Sequence, residues 1–197
     1  GSSPEQVVYT PNADFNGTDT FTYTITQGDK TSSAEVTVTV SAVNDAPSID
    51  IASTIQVPEN QTSATTVSVS DVDEDELTLS LGGTDAASFN LSSENILTFK
   101  DAPDYETKTS YGIILSLTDG TETVTKNITI TITDVNEAPV FTSSATFSAA
   151  ENQTAIGTVT AIDDEGDNVI FTISGSELAI TSAGVLTFVS APDFETK

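Results

Sequence analysis

Carboxylates are gathered in blocks along this chain rather than spread evenly. Glu59 stands alone early on. Asp71 and Asp73 follow, then Asp104 and Glu106, Asp119 beside a glycine, and Asp134 with Glu137 around Val135 and Asn136. Oxygen-rich groups of this kind do one of two things. They hold hard cations, or they keep a protein soluble at high salt by charge alone. The nucleophilic alternatives fall away on composition. The chain of 197 residues has no His and no Cys, so it carries no Ser-His-Asp triad, no thiol nucleophile and no ordinary zinc or copper site. Glycosidase chemistry needs two carboxyls facing a cleft, and a row of small β units offers none.

The charge balance narrows the partners. Thirty acidic residues against five lysines give a formal charge of −25. Nucleic acid needs a basic face, and an anionic membrane surface would repel this chain. No apolar run approaches the roughly 20 residues of a membrane span, so direct membrane insertion is not expected. Hydrophobic content is 37%, low for a globular protein, but it is ordered in period two. Gly1-Ser2-Ser3 reads as a cloning remnant, which makes the chain a piece of something longer.

The elements that carry the acidic blocks repeat. Val43-Asn44-Asp45-Ala46-Pro47 returns 92 residues later as Val135-Asn136-Glu137-Ala138-Pro139. Glu59-Asn60-Gln61-Thr62 returns as Glu151-Asn152-Gln153-Thr154, and Asp71-Val72-Asp73 maps onto Asp163-Asp164-Glu165, by the same shift. Ala102-Pro103-Asp104-Tyr105-Glu106-Thr107-Lys108 returns at 191–197 after a three-residue deletion. A fixed-period repeat of this size marks a tandem array. Residues 48–137 make one complete unit, 1–47 the back end of a unit, and 138–197 the front end of another.

Each unit reads as strands. Val36, Val38 and Val40 alternate with threonines, as do Ile128, Ile130 and Ile132, and Phe21, Tyr23 and Ile25. This is the half-buried strand pattern. Turn signals at Asn16-Gly17, Gly82-Gly83, Asp119-Gly120 and Gly166-Asp167 separate the strands. A unit of 90 residues with about seven strands belongs to the immunoglobulin-like sandwich class. The tyrosines are expected to be mostly buried, which leaves little for stacking on a sugar. Outward threonines also suit an ice-binding array, but plain β propensity explains them.

At this point a resemblance emerges. Pro58-Glu59-Asn60, Asp71-Val72-Asp73, Asp104-Tyr105-Glu106 and Asp134-Val135-Asn136-Glu137-Ala138-Pro139-Val140-Phe141 resemble the calcium motifs of cadherin repeats, in particular the bacterial cadherin-like repeats of large surface adhesins. The resemblance covers nearly the whole chain. It implies an all-β fold of tandem cadherin-like, immunoglobulin-like Greek-key sandwiches, joined end to end by calcium-binding linkers.

The resemblance also assigns ligands. At the junction of 48–137 with 138–197 it implies Glu59, Asp104 and Glu106 from the lower unit and Asp134, Asn136 and Glu137 from the linker. Backbone oxygens of Val135 and Ala138 join them, with Asp163 and Glu165 from the upper unit. Glu137 and Glu165 each replace an aspartate of the family pattern and keep the carboxylate on a longer arm. At the junction of 1–47 with 48–137 it implies Asn44, Asp71, Asp73, Asp119 and the Ala46 carbonyl. That junction is poorer, because Asn16 and Ala42 stand where acids are expected. Clustering itself favours a cation over simple solvation. Two carboxylates 4 Å apart repel by about 4 kcal/mol at an effective dielectric of 20.

The implied function is a calcium-rigidified structural segment of a bacterial surface adhesin or extracellular fibre, outside the cell or on its surface, with neighbouring repeats of the same protein as partners. The alternative is an adhesion module that itself binds a glycan, another cell-surface ligand or a homophilic partner. The two incomplete units also raise a homo-oligomer through half-domain complementation, against the plainer reading of a fragment with frayed ends.

Overall fold

The computed structural model describes residues 8–195. Gly1-Ser2-Ser3 and the Thr196-Lys197 end of the last repeated block lie outside the described residues. The chain is all-β apart from a single 3-10 turn at Ala86–Ser88. Its strands are β1 (Gly17–Gln27), β2 (Lys30–Val40), β3 (Ser48–Asp50), β4 (Thr54–Pro58), β5 (Ser63–Thr66), β6 (Ser68–Ser70), β7 (Thr78–Gly82) and β8 (Phe89–Leu91). They continue with β9 (Ile96–Phe99), β10 (Ser110–Thr118), β11 (Thr123–Thr133), β12 (Val140–Phe141), β13 (Ala155–Thr158), β14 (Ala161–Ile162), β15 (Leu178–Ile180) and β16 (Val185–Phe188).

The complete repeat is built from one sheet in the order β4-β11-β10-β7 and a second face made of β5-β9-β8 with the pair β3-β6. The sequence suggested about seven strands, whereas β3 to β11 are nine. The extra breaks have a cause. β3 pairs with β6 while β4 pairs with β11, and β5 pairs with β9 while β6 pairs with β3. Each change of partner interrupts an edge strand. Alternation sets what lies inside: Ile113, Leu115 and Leu117 from β10 and Ile128, Ile130 and Ile132 from β11 are buried, with Val67, Phe89, Leu97 and Phe99 from the other face. Tyr111 caps this layer edge-on, 5.7 Å from Phe89 and 5.1 Å from Phe99. The tight turn between β10 and β11 passes through Gly120 at φ +94°, a conformation that costs glycine nothing.

The chain forms two compact units. The first comprises residues 1–55, 63–100 and 111–130, the second 56–62, 101–110 and 131–197. In the first, β1 and β2 are a hairpin in unbroken antiparallel register from Gly17 opposite Val40 to Gln27 opposite Lys30. They form a two-stranded sheet by themselves. This overturns the expectation about the tyrosines. Tyr23 is 50% exposed, and Tyr9, Tyr105 and Tyr111 are only partly covered, because a ribbon of two strands covers no face and Tyr111 sits at the rim of its layer. In the second unit, β12 pairs with β14, and β13-β16-β15 form a three-stranded sheet.

Candidate metal centre

Glu59 follows directly on β4 and is 4% exposed, the buried charged residue of the core. Its two oxygens are held by main chain: Oε2 accepts from the N–H of Tyr105 at 2.7 Å and Oε1 from the N–H of Val135 at 2.8 Å. Asn60, at φ +62°, turns the chain, and its N–H donates to the Pro103 carbonyl at 3.0 Å. One carboxylate thus pins the loop around Tyr105 and the segment after Thr133 to the end of a strand.

Around this anchor two acidic triplets share Glu106. Ligand oxygens of Glu59, Glu106 and Asp134 lie within 4.8 Å of one another, and so do those of Glu106, Glu137 and Glu165. The surroundings are electrostatically strained. Burial pushes the Glu106 carboxyl above the usual range, and the charges of Glu59, Asp134 and Glu165 add to this. Glu137 is pushed up to about 7, chiefly by its hydrogen bond with Glu165, while that bond holds Glu165 below its ordinary value. The two side chains share one proton. Asn60 donates its amide to Glu137, the Glu137 N–H donates to Glu165 Oε1 at 3.3 Å, and Glu165 Oε2 is buried without a partner.

Other members of the expected set are turned to local partners. Asp104 accepts from the N–H and hydroxyl of Thr107, at 3.0 and 2.9 Å, and Asp163 accepts from the Asp167 N–H at 2.9 Å. The Asn136 amide donates to the Glu137 carbonyl at 3.0 Å. Val135 offers its N–H to Glu59, and Ala138 lies in the strand-free segment 134–139.

In the first unit, Asp71, Asp73 and Asp75 bring their oxygens within 4.8 Å. Asp71 Oδ1 accepts from the N–H of Asp73 at 2.8 Å, while Asp71 Oδ2 is buried without a partner. The Asp45 N–H donates to Asp73 Oδ2 at 2.7 Å, which brings the segment 41–47 to this loop. Asn44 donates to Asp119 Oδ2 at 3.0 Å, and this bond, with the N–H groups of Glu122 and Thr121, holds Asp119 below the usual carboxylate range. A cavity of about 320 Å³ opens here, lined by Asn16, Ala42, Val43, Asn44, Asp73 and Asp75. Ala46 lies beside it in sequence and is exposed.

The donor sets fit a hard divalent cation: carboxylate and amide oxygens only, with one buried orphan oxygen in each set, and in the set around Glu106 a proton where a cation would neutralise the charge. Sequence reasoning missed Asp75 and the triplet Glu151, Asp193 and Glu195. The signal for both was present. Asp75 lies four residues after Asp71 as Asp167 lies after Asp163, and the triplet is the repeated image of Glu59, Asp104 and Glu106.

The shared proton sets a pH dependence. Glu137 has a raised value in the folded chain, so its contribution to stability is full below its ordinary value of 4.5 and is lost as pH rises through about 7. The lowered Glu165 contributes above its ordinary value and loses that contribution only as pH falls through its depressed one. Metal-free protein is expected to become less stable between pH 5 and 8. Glu165→Gln is expected to remove most of that slope, as read by thermal melts in chelator across the range.

Comparison with known proteins agrees on the fold. A profile of the bacterial Ig domain family matches residues 1–40. Chitinase A of Pseudoalteromonas piscicida is 32% identical over 126 residues, 62% of this chain but 15% of that protein, so the chain spans only a small fraction of its length. Human protocadherin-24 EC1-2 superposes with a TM-score of 0.52 at 22% identity, covering 79% of this chain and 82% of that one. Human CDH23 EC21-23 does so with 0.53 at 20% identity, covering 83% and 60%. The chain has an all-β fold of the cadherin-like and immunoglobulin-like sandwich class.

Proposed function

We propose that this chain is a calcium-rigidified structural segment of a bacterial adhesin or related extracellular fibre. In this reading residues 1–47 are the back end of one repeat, 48–137 a complete repeat, and 138–197 the front end of a third. The observation that carries the reading is the meeting of Glu106, Glu137 and Glu165, from three separate sequence blocks, within 4.8 Å. Glu59, Asp134 and these three would hold calcium at one place, completed by Asp104, Asn136, Asp163 and the carbonyls of Val135 and Ala138. Asn44, Asp71, Asp73 and Asp119, with the Ala46 carbonyl, would hold it at the other. Calcium supplies the positive charge that turns repulsion among these groups into cohesion. The chain's own residues fix the position of the carboxylates: Glu59 clamps two main-chain segments, and Asp45 brings the segment before β3 onto the Asp71 loop.

The location follows from affinity. Extracellular modules of this type bind calcium at roughly 10⁻⁴–10⁻³ M. Such sites fill outside a cell and stay empty in cytoplasm, so a chain awaiting export would remain pliant. The match to a bacterial Ig domain profile, and to a short stretch of a much longer bacterial protein, supports a module strung in series with others. No helix among the described residues is long and apolar enough to cross a membrane.

Small-angle scattering tests the reading. A longer maximum dimension is expected in calcium than in chelator. Identical curves in both would sink the rigidifying role.

A further inference from the structure

Residues 138–195 repeat the front of the complete unit, yet their side chains lie open. Leu97 is 0% exposed and Val67, Phe89 and Phe99 are buried, whereas their repeated images Leu186, Val159, Leu178 and Phe188 are all partly exposed. Among the described residues after Pro139, only Gly184 is buried. Two cavities, of about 770 and 340 Å³, open onto Phe188 and Phe194 and onto Phe171 and Leu186.

The same comparison shows what is needed there. In the complete repeat β10 and β11 lie between β4 and β7. The images of those flanking strands, residues 146–150 and 169–173, form no strand, although Val169-Ile170-Phe171-Thr172-Ile173 is as good a strand sequence as β7. Strand geometry persists only where a neighbour takes its hydrogen bonds. Gly83 points the same way. At φ +98° it lies against β10, so that a Cβ there would meet Ile114 N at 2.9 Å; its image Gly175 keeps φ +94° with nothing within 4 Å.

The β1–β2 hairpin is the repeated image of β10–β11. Phe21, Tyr23 and Ile25 stand 92 residues before Ile113, Leu115 and Leu117, and Val36, Val38 and Val40 before Ile128, Ile130 and Ile132. The second set is buried; the first lies on one face of a lone ribbon, with Ile25 64% exposed. Asp19, where the repeat has Tyr111, is the polar exception, and it is engaged by Tyr9, whose phenol burial and the Asp19 charge push up.

We infer that the β1–β2 hairpin of one copy of this chain inserts between residues 146–150 and 169–173 of a second copy and completes its sandwich. This rests on the reading of 1–47 and 138–197 as complementary ends of one repeat type. The register follows from Leu115 opposite Leu81 and Leu117 opposite Leu79: Tyr23 pairs with Ile173 and Ile25 with Phe171 across copies. Six apolar side chains, two of them aromatic at about 150–250 Å² each, approach the roughly 800 Å² per partner of a stable interface. Donor and acceptor are different surfaces, so the contact is heterologous and grows chains or rings. Two copies at −25 each repel, so assembly strengthens with salt.

The test uses the full chain, which contains no cysteine. At about 1 M salt, mass by light scattering is expected to rise with concentration beyond a dimer. Tyr23→Asp with Ile25→Asp removes the donor, and Ile173→Asp removes the acceptor. Each variant alone is expected to be a monomer with an unchanged circular dichroism spectrum, because these side chains are exposed already. Their equimolar mixture is expected to give a 1:1 complex. A chain carrying Tyr23→Cys and Ile173→Cys is expected to form a covalent ladder on oxidation, and either single variant at most a dimer. A wild-type monomer at every concentration, assembly that survives loss of the donor, or no ladder would overturn the proposal. Parallel runs in calcium and in chelator separate this outcome from the fate of the metal reading, which scattering dimensions and melting report independently of mass.

Discussion

Glu59→Ala is expected to lower stability by about 3 kcal/mol, or on the order of 10 °C in Tm for a chain of this size, in calcium-free buffer. The side chain is buried and accepts from the N–H groups of Tyr105 and Val135. Charge-assisted bonds of this kind are each worth roughly 1.5–3 kcal/mol, and truncation leaves two main-chain donors unpaired. Glu59→Gln keeps an acceptor and is expected to lose about half as much. Glu151 provides the control. It accepts from the Phe194 N–H at 3.0 Å in the repeated position but is exposed, so Glu151→Ala is expected to change stability by less than about 1 kcal/mol. Equal losses at Glu59 and Glu151 would contradict the burial argument.

The second large effect is expected from the cation. A site filled at 100 times its dissociation constant stabilises the folded chain by about 2.7 kcal/mol. Two such sites give roughly 5 kcal/mol, seen as a rise in Tm between chelator and millimolar calcium. Magnesium is expected to give little, because it keeps its waters and demands a tighter octahedron. Glu106 belongs to both triplets around Glu59 and Glu165, so Glu106→Ala is expected to remove most of the shift arising there. Asp73→Ala removes the remainder. A Tm unmoved by calcium would end the metal reading while leaving the fold and the hairpin proposal standing.

Several features were legible from residue types and spacing. Period-two alternation in 36–40 and 128–132 marks strands because successive side chains leave a strand on opposite sides. The marked glycines 17, 83, 120 and 166 all take positive φ at strand ends or turns, since a β-rich chain must reverse where only glycine bends freely. The acidic blocks 104–106, 134–137 and 163–165 were recognised as a set through their order. Their partition was not legible. Whether Asp104 faces a cation or Thr107, and whether Asp75 joins Asp71 and Asp73, depends on loop turns that spacing does not encode.

Tyr23 and Leu115 make the remaining distinction plain. Both occupy the same place in the repeat, and the sequence by itself determines that each points to one side of a β hairpin. Only the tertiary structure decides that Leu115 is sealed and Tyr23 half open, because burial belongs to the layer opposite and not to the residue. The same holds for Ile173 and Leu81, strand-formers alike, of which only Leu81 has a neighbour to hydrogen-bond. Sequence determined the repeat, the strand faces and the supply of oxygens. Packing decided which copies of them close, since a sandwich is stable only where two layers exclude water from each other.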